Sequence, residues 1–156
     1  MMKAKSEKYD LLVIIVATLM ILFVVDYFFI SLAVVNGGSM YPTIQHGDKL
    51  IYKKAPYLYK NFTRGDIIIF KPPQETKKES LFIKRIIATT KDTYIIENGA
   101  LCVNGIDIRE TYICDGEYLN KDYPYTKGIV PDNRVFVLGD NRNNSNDSRR
   151  FSCVQK

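Results

Sequence analysis

Hydrophobic and polar positions divide this chain into two regimes. Residues 11–25 carry no charge, and apolar character resumes after Asp26 over 27–35. Beyond that, apolar residues come in short runs bounded by polar clusters. The first regime predicts a helix. A helix rises about 1.5 Å per residue and the hydrocarbon layer is about 30 Å thick, so about 20 residues cross it. A span that begins near Tyr9 or Leu11 ends near Phe28 or Phe29 and puts a transmembrane helix at 11–29. Asp26 then lies near the far interface, where an ionised group costs less than at the centre. Tyr27, Phe28 and Phe29 form an interfacial aromatic belt. The second regime predicts β structure. Residues 30–35 are β-branched enough for a first strand, and 48–53 for a second. The continuous run 66–70 reads as a strand buried on both faces, stopped by Pro72-Pro73. Residues 74–79 read as an exposed loop, and 81–90 and 93–97 as further strands. Asn98-Gly99 and Asn104-Gly105 are hairpin signals. Residues 109–130 are irregular, and 134–138 is the last clear strand. The expected fold is mainly β: one N-terminal transmembrane helix, then a compact antiparallel β domain.

Charge orients this arrangement. Lys3, Lys5 and Lys8 precede the apolar run, and no Lys or Arg follows it until Lys49. The positive-inside rule therefore makes 1–10 a cytoplasmic tail, 11–29 the anchor and 30–156 an extracytoplasmic domain. A cleavable leader has an apolar core of about 7–15 residues and a small-x-small cleavage site. The run here is longer and no such site follows Val25, so the anchor is expected to stay. Of the 156 residues, 46% are hydrophobic, which excludes a largely disordered chain. The net charge of +5 is scattered along the chain, without a helix-turn-helix or zinc-finger pattern. It predicts solvated faces and contact with the lipid bilayer, and no nucleic-acid partner. Eleven tyrosines and eight phenylalanines without tryptophan suit an aromatic-rich β protein at an interface. Cys102, Cys114 and Cys153 form no CxxC pair, so neither metal nor cofactor is expected. Outside the cytoplasm Cys102 and Cys114 could bridge; otherwise all three are free, structural thiols.

Three stretches carry chemistry. In Asn36-Gly37-Gly38-Ser39-Met40-Tyr41-Pro42-Thr43, two glycines let the backbone turn tightly and approach a ligand, and Pro42 ends regular structure. Ser39 is thus displayed on a stiffened turn, although alone this reads as an ordinary loop. In Phe82-Ile83-Lys84-Arg85-Ile86-Ile87, adjacent residues of a strand point to opposite faces. One cation faces solvent and the other faces the interior or a cleft. A buried lysine loses its proton easily, and a neutral amine can take the proton of a serine hydroxyl. That is Ser–Lys nucleophilic catalysis, which needs no histidine. The bland alternative is a pair of cations that protects an edge strand from aggregation. The third stretch runs from Gly139-Asp140-Asn141-Arg142 through Ser145 to Asp147-Ser148-Arg149. Alone it is a polar turn cluster, and Asp140, Arg142, Asp147 and Arg149 could also form a paired network that fixes the loop. A serine such as Ser145 could donate to the lysine amine and orient it. The single histidine, His46, reads as part of a polar turn rather than as a base.

In order and spacing behind an N-terminal anchor, these motifs resemble those of the bacterial type I signal peptidases. Arg64-Gly65-Asp66-Ile67-Ile68 with Pro72 is similar to that family's intervening strand. The resemblance covers the chain from the anchor to Phe151. It implies a mainly β catalytic domain with an apolar surface that meets lipid, and a Ser–Lys dyad with Ser39 as nucleophile and Lys84 as general base. It further implies that Ser145 orients the lysine, and that Asp147 and Arg149 hold the site together. The oxyanion hole uses the Ser39 backbone N–H. Some members add a hydroxyl two residues earlier; Gly37 stands there, so a second donor would be a backbone amide. The implied substrates are secretory preproteins with small residues one and three positions before the cut. Ala88 and Ser152 stand where the family commonly has glycine, and relatives usually continue beyond the position of Lys156.

Three alternatives remain beside this reading. A narrow-substrate relative would process one pilus or surface protein. A catalytically silent relative acting in surface-protein assembly would lose the serine or the lysine, and both are present. A self-cleaving repressor of similar fold would carry a DNA-binding domain in place of the anchor.

Overall fold

The structure, a computed structural model, describes residues 3–54, 61–73, 81–113 and 123–155, and in the first helix the side chains of 9–24. The chain forms two compact units. The boundary between them does not fall at 29/30, because the first two strands belong with the helix.

The first unit holds α1 (Lys3–Phe29), β1 (Ile30–Val34) and β2 (Lys49–Lys53). Helical structure thus begins well before residue 11. The apolar residues of 9–24 occupy every face of α1, and all of these side chains are exposed. Among the described residues no helix is long and apolar enough to cross a membrane, so the anchor expected at 11–29 is not borne out there. Its far end, with Asp26 and the aromatic belt, falls beyond the described side chains. β1 and β2 pair antiparallel, with Leu32 opposite Ile51 and Lys49 and Lys53 opposite Val34 and Ile30. Strand alternation puts Ile30, Leu32, Val34 and Ile51 on one exposed face, with Leu32 74% and Ile51 75% accessible.

The second unit holds residues 35–48 and the chain from 61 onward. It contains two four-stranded sheets. One has β3 (Ile67–Phe70), β4 (Phe82–Thr89), β9 (Arg134–Leu138) and β10 (Val154–Gln155) in the order β10-β9-β4-β3. The other has β5 (Thr93–Glu97), β6 (Ala100–Val103), β7 (Ile106–Asp107) and β8 (Lys127–Ile129) in the order β7-β6-β5-β8. The run 66–70 is not buried on both faces. β3 is an edge strand, and Ile67 is exposed. β4, flanked by β3 and β9, is the longest strand and buries Lys84 and the run 86–88. Both Asn-Gly pairs make their hairpins: Asn98, Gly99, Asn104 and Gly105 all adopt positive φ, as tight two-residue turns require.

Two strands escape the sequence pattern. β8 lies inside the stretch expected to be irregular, and β10 follows what was expected to be the last strand. Each is two or three residues long, too short for a periodic signal. The loop expected at 74–79 lies outside the described residues, as does Cys114; Cys102 and Cys153 are free thiols.

The core explains why β4 sits where it does. Ile87 and Ala88 pack with Phe136, Leu138, Tyr94, Leu101 and Val103, while Ile86 packs on the other side with Val135, Val137, Phe151 and Val154. Ile87 and Ala88 share one cluster because a bulge between Ile86 and Ala88 breaks the strict alternation of the strand. Tyr94 stacks on Phe136 at 3.9 Å between ring centroids.

Candidate active site

The site grows from the loop 35–48. Its ends are tied by backbone bonds from Val35 N–H to the Asp48 carbonyl and from Gly47 N–H to the Val35 carbonyl, both 2.9 Å. Buried Met40 and Ile44 anchor its middle, and Ile44 N–H donates to the Met40 carbonyl at 2.9 Å. Gly37 has φ +117°, a conformation side chains rarely adopt, so glycine is needed there. Its N–H donates to His46 Nδ1 at 3.2 Å, so the lone histidine braces this turn. A Cβ on Gly38 would meet only open space.

A second tether comes from the end of β9. Asn141 Nδ2 donates to the Gly38 carbonyl and Asn141 N–H to the Ser39 carbonyl, each at 3.1 Å. Ser39 is thereby held from both sides, and its side chain meets β4. Lys84 Nζ lies 2.7 Å from Ser39 Oγ and donates also to the Ile83 carbonyl at 2.9 Å. Lys84 is only 3% accessible. Burial lowers its pKa from 10.5 to about 8, against the upward pull of Asp147 and Asp140. The Phe82 ring, 5.1 Å from Nζ, supplies part of the apolar wall.

The neighbouring cation has a different fate. Arg85 does not face solvent, as one of the two was expected to do; its side chain is 12% accessible. Its Nε and Nη2 reach both oxygens of Asp140, at 2.8 and 2.7 Å. Thr43, on the serine loop, donates to the same carboxylate at 2.5 Å. Asp140 therefore links the loop to β4. Its partner is Arg85 rather than a cation of its own segment.

The rest of the polar segment closes on itself. Asp147 caps the one-turn helix α2 (Ser148–Phe151), accepting from Arg149 N–H at 3.2 Å. Arg149 returns two side-chain bonds to Asp147 at 2.9 Å and one to the Arg142 carbonyl at 2.6 Å. Asp147 also accepts from Gly139 N–H at 3.1 Å. Arg142, in a 3-10 turn (Arg142–Asn144), is fully buried and makes two bonds to Glu110, at 2.6 and 2.5 Å. The four expected residues thus form three ion pairs, Asp140–Arg85, Arg142–Glu110 and Asp147–Arg149, with Arg85 and Glu110 recruited from elsewhere. Ser145 Oγ is buried and has no hydrogen-bond partner among the described residues, so the expected bond to Lys84 is not made in this geometry.

Sequence reasoning did not single out Thr43, Asn141, Gly139, Glu110 or Tyr112. Gly139 is instructive. A Cβ there would overlap Ser145 Oγ and the Ser39 carbonyl, so the serine loop and the polar segment meet only because no side chain intervenes. Thr43, Gly139 and Asn141 lie inside the quoted motifs and could have been found there. Glu110 and Tyr112 sit in the irregular stretch, which offered no signal. Among the described residues no group of His, Cys, Asp and Glu is arranged to hold a metal ion.

The profile of the family described as "Signal peptidase, peptidase S26" matches residues 8–156. Probable signal peptidase I-1 of Synechocystis sp. is 40% identical over 119 residues, which cover 73% of this chain and 59% of that protein. The chain therefore spans under two thirds of that relative's length. Signal peptidase I S of Bacillus subtilis (strain 168) is 34% identical over 145 residues, covering 87% and 74% of the two chains. Among solved structures, a signal peptidase I from Enterococcus faecalis V583 aligns with a TM-score of 0.51 and 31% identity, over 62% of this chain and 91% of that one. The chain belongs to the signal peptidase family, peptidase S26.

Proposed function

We propose that this protein is a membrane-bound serine endopeptidase that removes N-terminal signal peptides from secretory preproteins, with Ser39 as nucleophile and Lys84 as general base. The observation that carries the reading is the 2.7 Å approach of Ser39 Oγ to a buried lysine amine whose pKa is drawn down to about 8. A base works best when its pKa lies near the working pH, and the reacting atoms are already within proton-transfer distance. Neutral Lys84 takes the Ser39 proton as Oγ attacks the scissile carbonyl. The resulting ammonium gives that proton to the departing amine, leaving an acyl ester on Ser39. Lys84 then accepts a proton from the water that hydrolyses the ester. The oxyanion is assigned to the Ser39 backbone N–H; the Gly37 N–H is engaged by His46 in this geometry. Gly37 and Gly38 keep the approach to the serine open, while Asp140, Arg142, Asp147 and Arg149 hold the flanking segments. Ser145 is assigned to orient Lys84, a bond that would satisfy a buried hydroxyl left without a partner among the described residues.

The anchor belongs to the same proposal. Residues 1–10 remain in the cytoplasm, 11–29 cross the bilayer once, and the catalytic domain works on the outer side. The apolar all-round surface of α1 supports this. So does the exposed Ile30, Leu32, Val34 and Ile51 face between Lys49 and Lys53, which suits an anionic lipid surface.

The test is cleavage of a preprotein by the full chain in detergent. Cutting is expected after a small-x-small sequence, and Ser39→Ala and Lys84→Ala should each remove it while thermal unfolding stays cooperative. Cleavage that persists in folded Lys84→Ala protein would refute the assigned base.

A further inference from the structure

The Asp140–Arg85 pair beside the site has a cover that the reaction as proposed does not use. The Tyr112 ring lies against the Arg85 guanidinium, 4.0 Å from Cζ to the ring centroid. The Tyr112 hydroxyl donates to Glu110 Oε1 at 2.5 Å. Glu110 grips buried Arg142 with both oxygens, and Arg142 Nε donates to the carbonyl of Gly139, the residue before Asp140, at 2.9 Å. The chain of contacts is closed: Asp140, Arg85, Tyr112, Glu110, Arg142 and back to the end of β9. The second carboxylate near the lysine is treated alike, since the Tyr123 ring lies 4.4 Å from the Arg149 guanidinium that pairs with Asp147. Both tyrosines come from the connection between β7 and β8.

We infer that Tyr112, fixed by Glu110, is a positioning residue for the reaction: it holds Arg85 flat against Asp140 and so keeps the Asp140 charge neutralised beside Lys84. The electrostatics follow from the charges around the amine. Asp140 and Asp147 are the two carboxylates that favour the ammonium form of Lys84. Each is matched by one arginine, Arg85 or Arg149. Arg85 has other tethers, to the Gly65 carbonyl at 3.0 Å and weakly to Thr43 at 3.5 Å, but these touch its edge. The ring blocks motion of the guanidinium toward its own face, and a cation over an aromatic face is itself attracted. An arginine that swings off Asp140 leaves a carboxylate uncompensated at short range. The lysine then holds its proton more tightly, and less neutral base is present at a given pH.

This inference rests on the Ser39–Lys84 reading, and its test separates the two. Tyr112→Met fills the space with a flexible side chain and no aromatic face. Tyr112→Phe keeps the face and loses only the hydroxyl. In the full chain in detergent, two quantities are measured for each: the pH profile of kcat/KM on a preprotein, and the Lys84 titration by NMR of labelled lysine, assigned with Lys84→Ala. Tyr112→Met should move both upward by about one pH unit, so that kcat/KM near neutral pH falls roughly tenfold. Tyr112→Phe should stay within about twofold of the parent, since one neutral hydrogen bond is lost and the face remains. A folded Tyr112→Met protein with the parent titration overturns the inference, as does a Tyr112→Phe protein that behaves like Tyr112→Met. Should Tyr112→Met not fold, Tyr112→Leu replaces it; failure of both beside a folded Tyr112→Phe overturns positioning in favour of a structural role. A parent protein that cuts nothing while the NMR shift appears defeats the proposed function and leaves the positioning intact.

Discussion

Lys84 and Arg85 are neighbours on one strand, both are withdrawn from water, and they end in opposite chemical states. Arg85 meets a carboxylate with two bonds and a ring on its face, so its charge is matched in full. Lys84 meets a hydroxyl and a carbonyl, both neutral, and its nearest carboxylates are already engaged by arginines. A buried cation with its own counter-ion is a structural element. A buried cation without one is a base in waiting, because desolvation pushes it toward the neutral form. The difference lies in what the opposite faces of β4 look onto: the Asp140 carboxylate with Thr43 on one side and the neutral Ser39 hydroxyl on the other.

The contrast can be broken by exchanging the roles, and the largest effect should come from the lysine. Lys84→Ala should lower kcat/KM by about 10⁴-fold or more, as removal of a paired base does elsewhere. Its melting temperature should not fall. Arg85→Leu should do the reverse in kind. It leaves Asp140 buried without its cation, which costs on the order of 3–5 kcal/mol of stability, read from denaturant unfolding. An Arg85→Leu protein as stable as the parent would show that the pair is dispensable.

A smaller effect sharpens the comparison. If Lys84 carries a burial penalty, then Lys84→Met should be inactive and more stable than the parent at pH 7. The shift from 10.5 to about 8 sets an upper scale on the order of 3 kcal/mol. The sign follows from proton counting. Between about pH 8 and 10.5 the unfolded chain holds the lysine proton and the folded chain does not, so parent stability rises with pH across that window. The advantage of Lys84→Met should therefore shrink as pH rises through it, and a constant difference would argue against the depressed pKa. Activity should rise on a limb centred near the same pKa of about 8. The least effect is expected from Thr43→Val, which takes one donor from Asp140 and leaves its two arginine bonds. About 1–2 kcal/mol of stability should be lost, with modest loss of activity as the serine loop loosens.

The sequence by itself determined the parts that are local. The uncharged run 11–25 dictated a helix, the two Asn-Gly pairs dictated hairpins because few residues tolerate positive φ, and strand alternation already required Lys84 and Arg85 to part company. Gly37 and Ser39 could be read for the same reason: the backbone conformation and the displayed hydroxyl are properties of neighbouring residues. What the sequence left open was pairing at a distance. Ser39 and Lys84 are 45 residues apart, Asp140 and Thr43 are 97 apart, and Arg142 finds Glu110 across 32. Composition and spacing allowed Asp140 a partner in its own segment, and the fold gave it Arg85 instead, because β9 lies beside β4 in the sheet. The depressed lysine, the bare Gly139 and the ring over Arg85 are tertiary facts of the same kind. Desolvation and close approach depend on which strands are neighbours, and no stretch of chain carries that information alone.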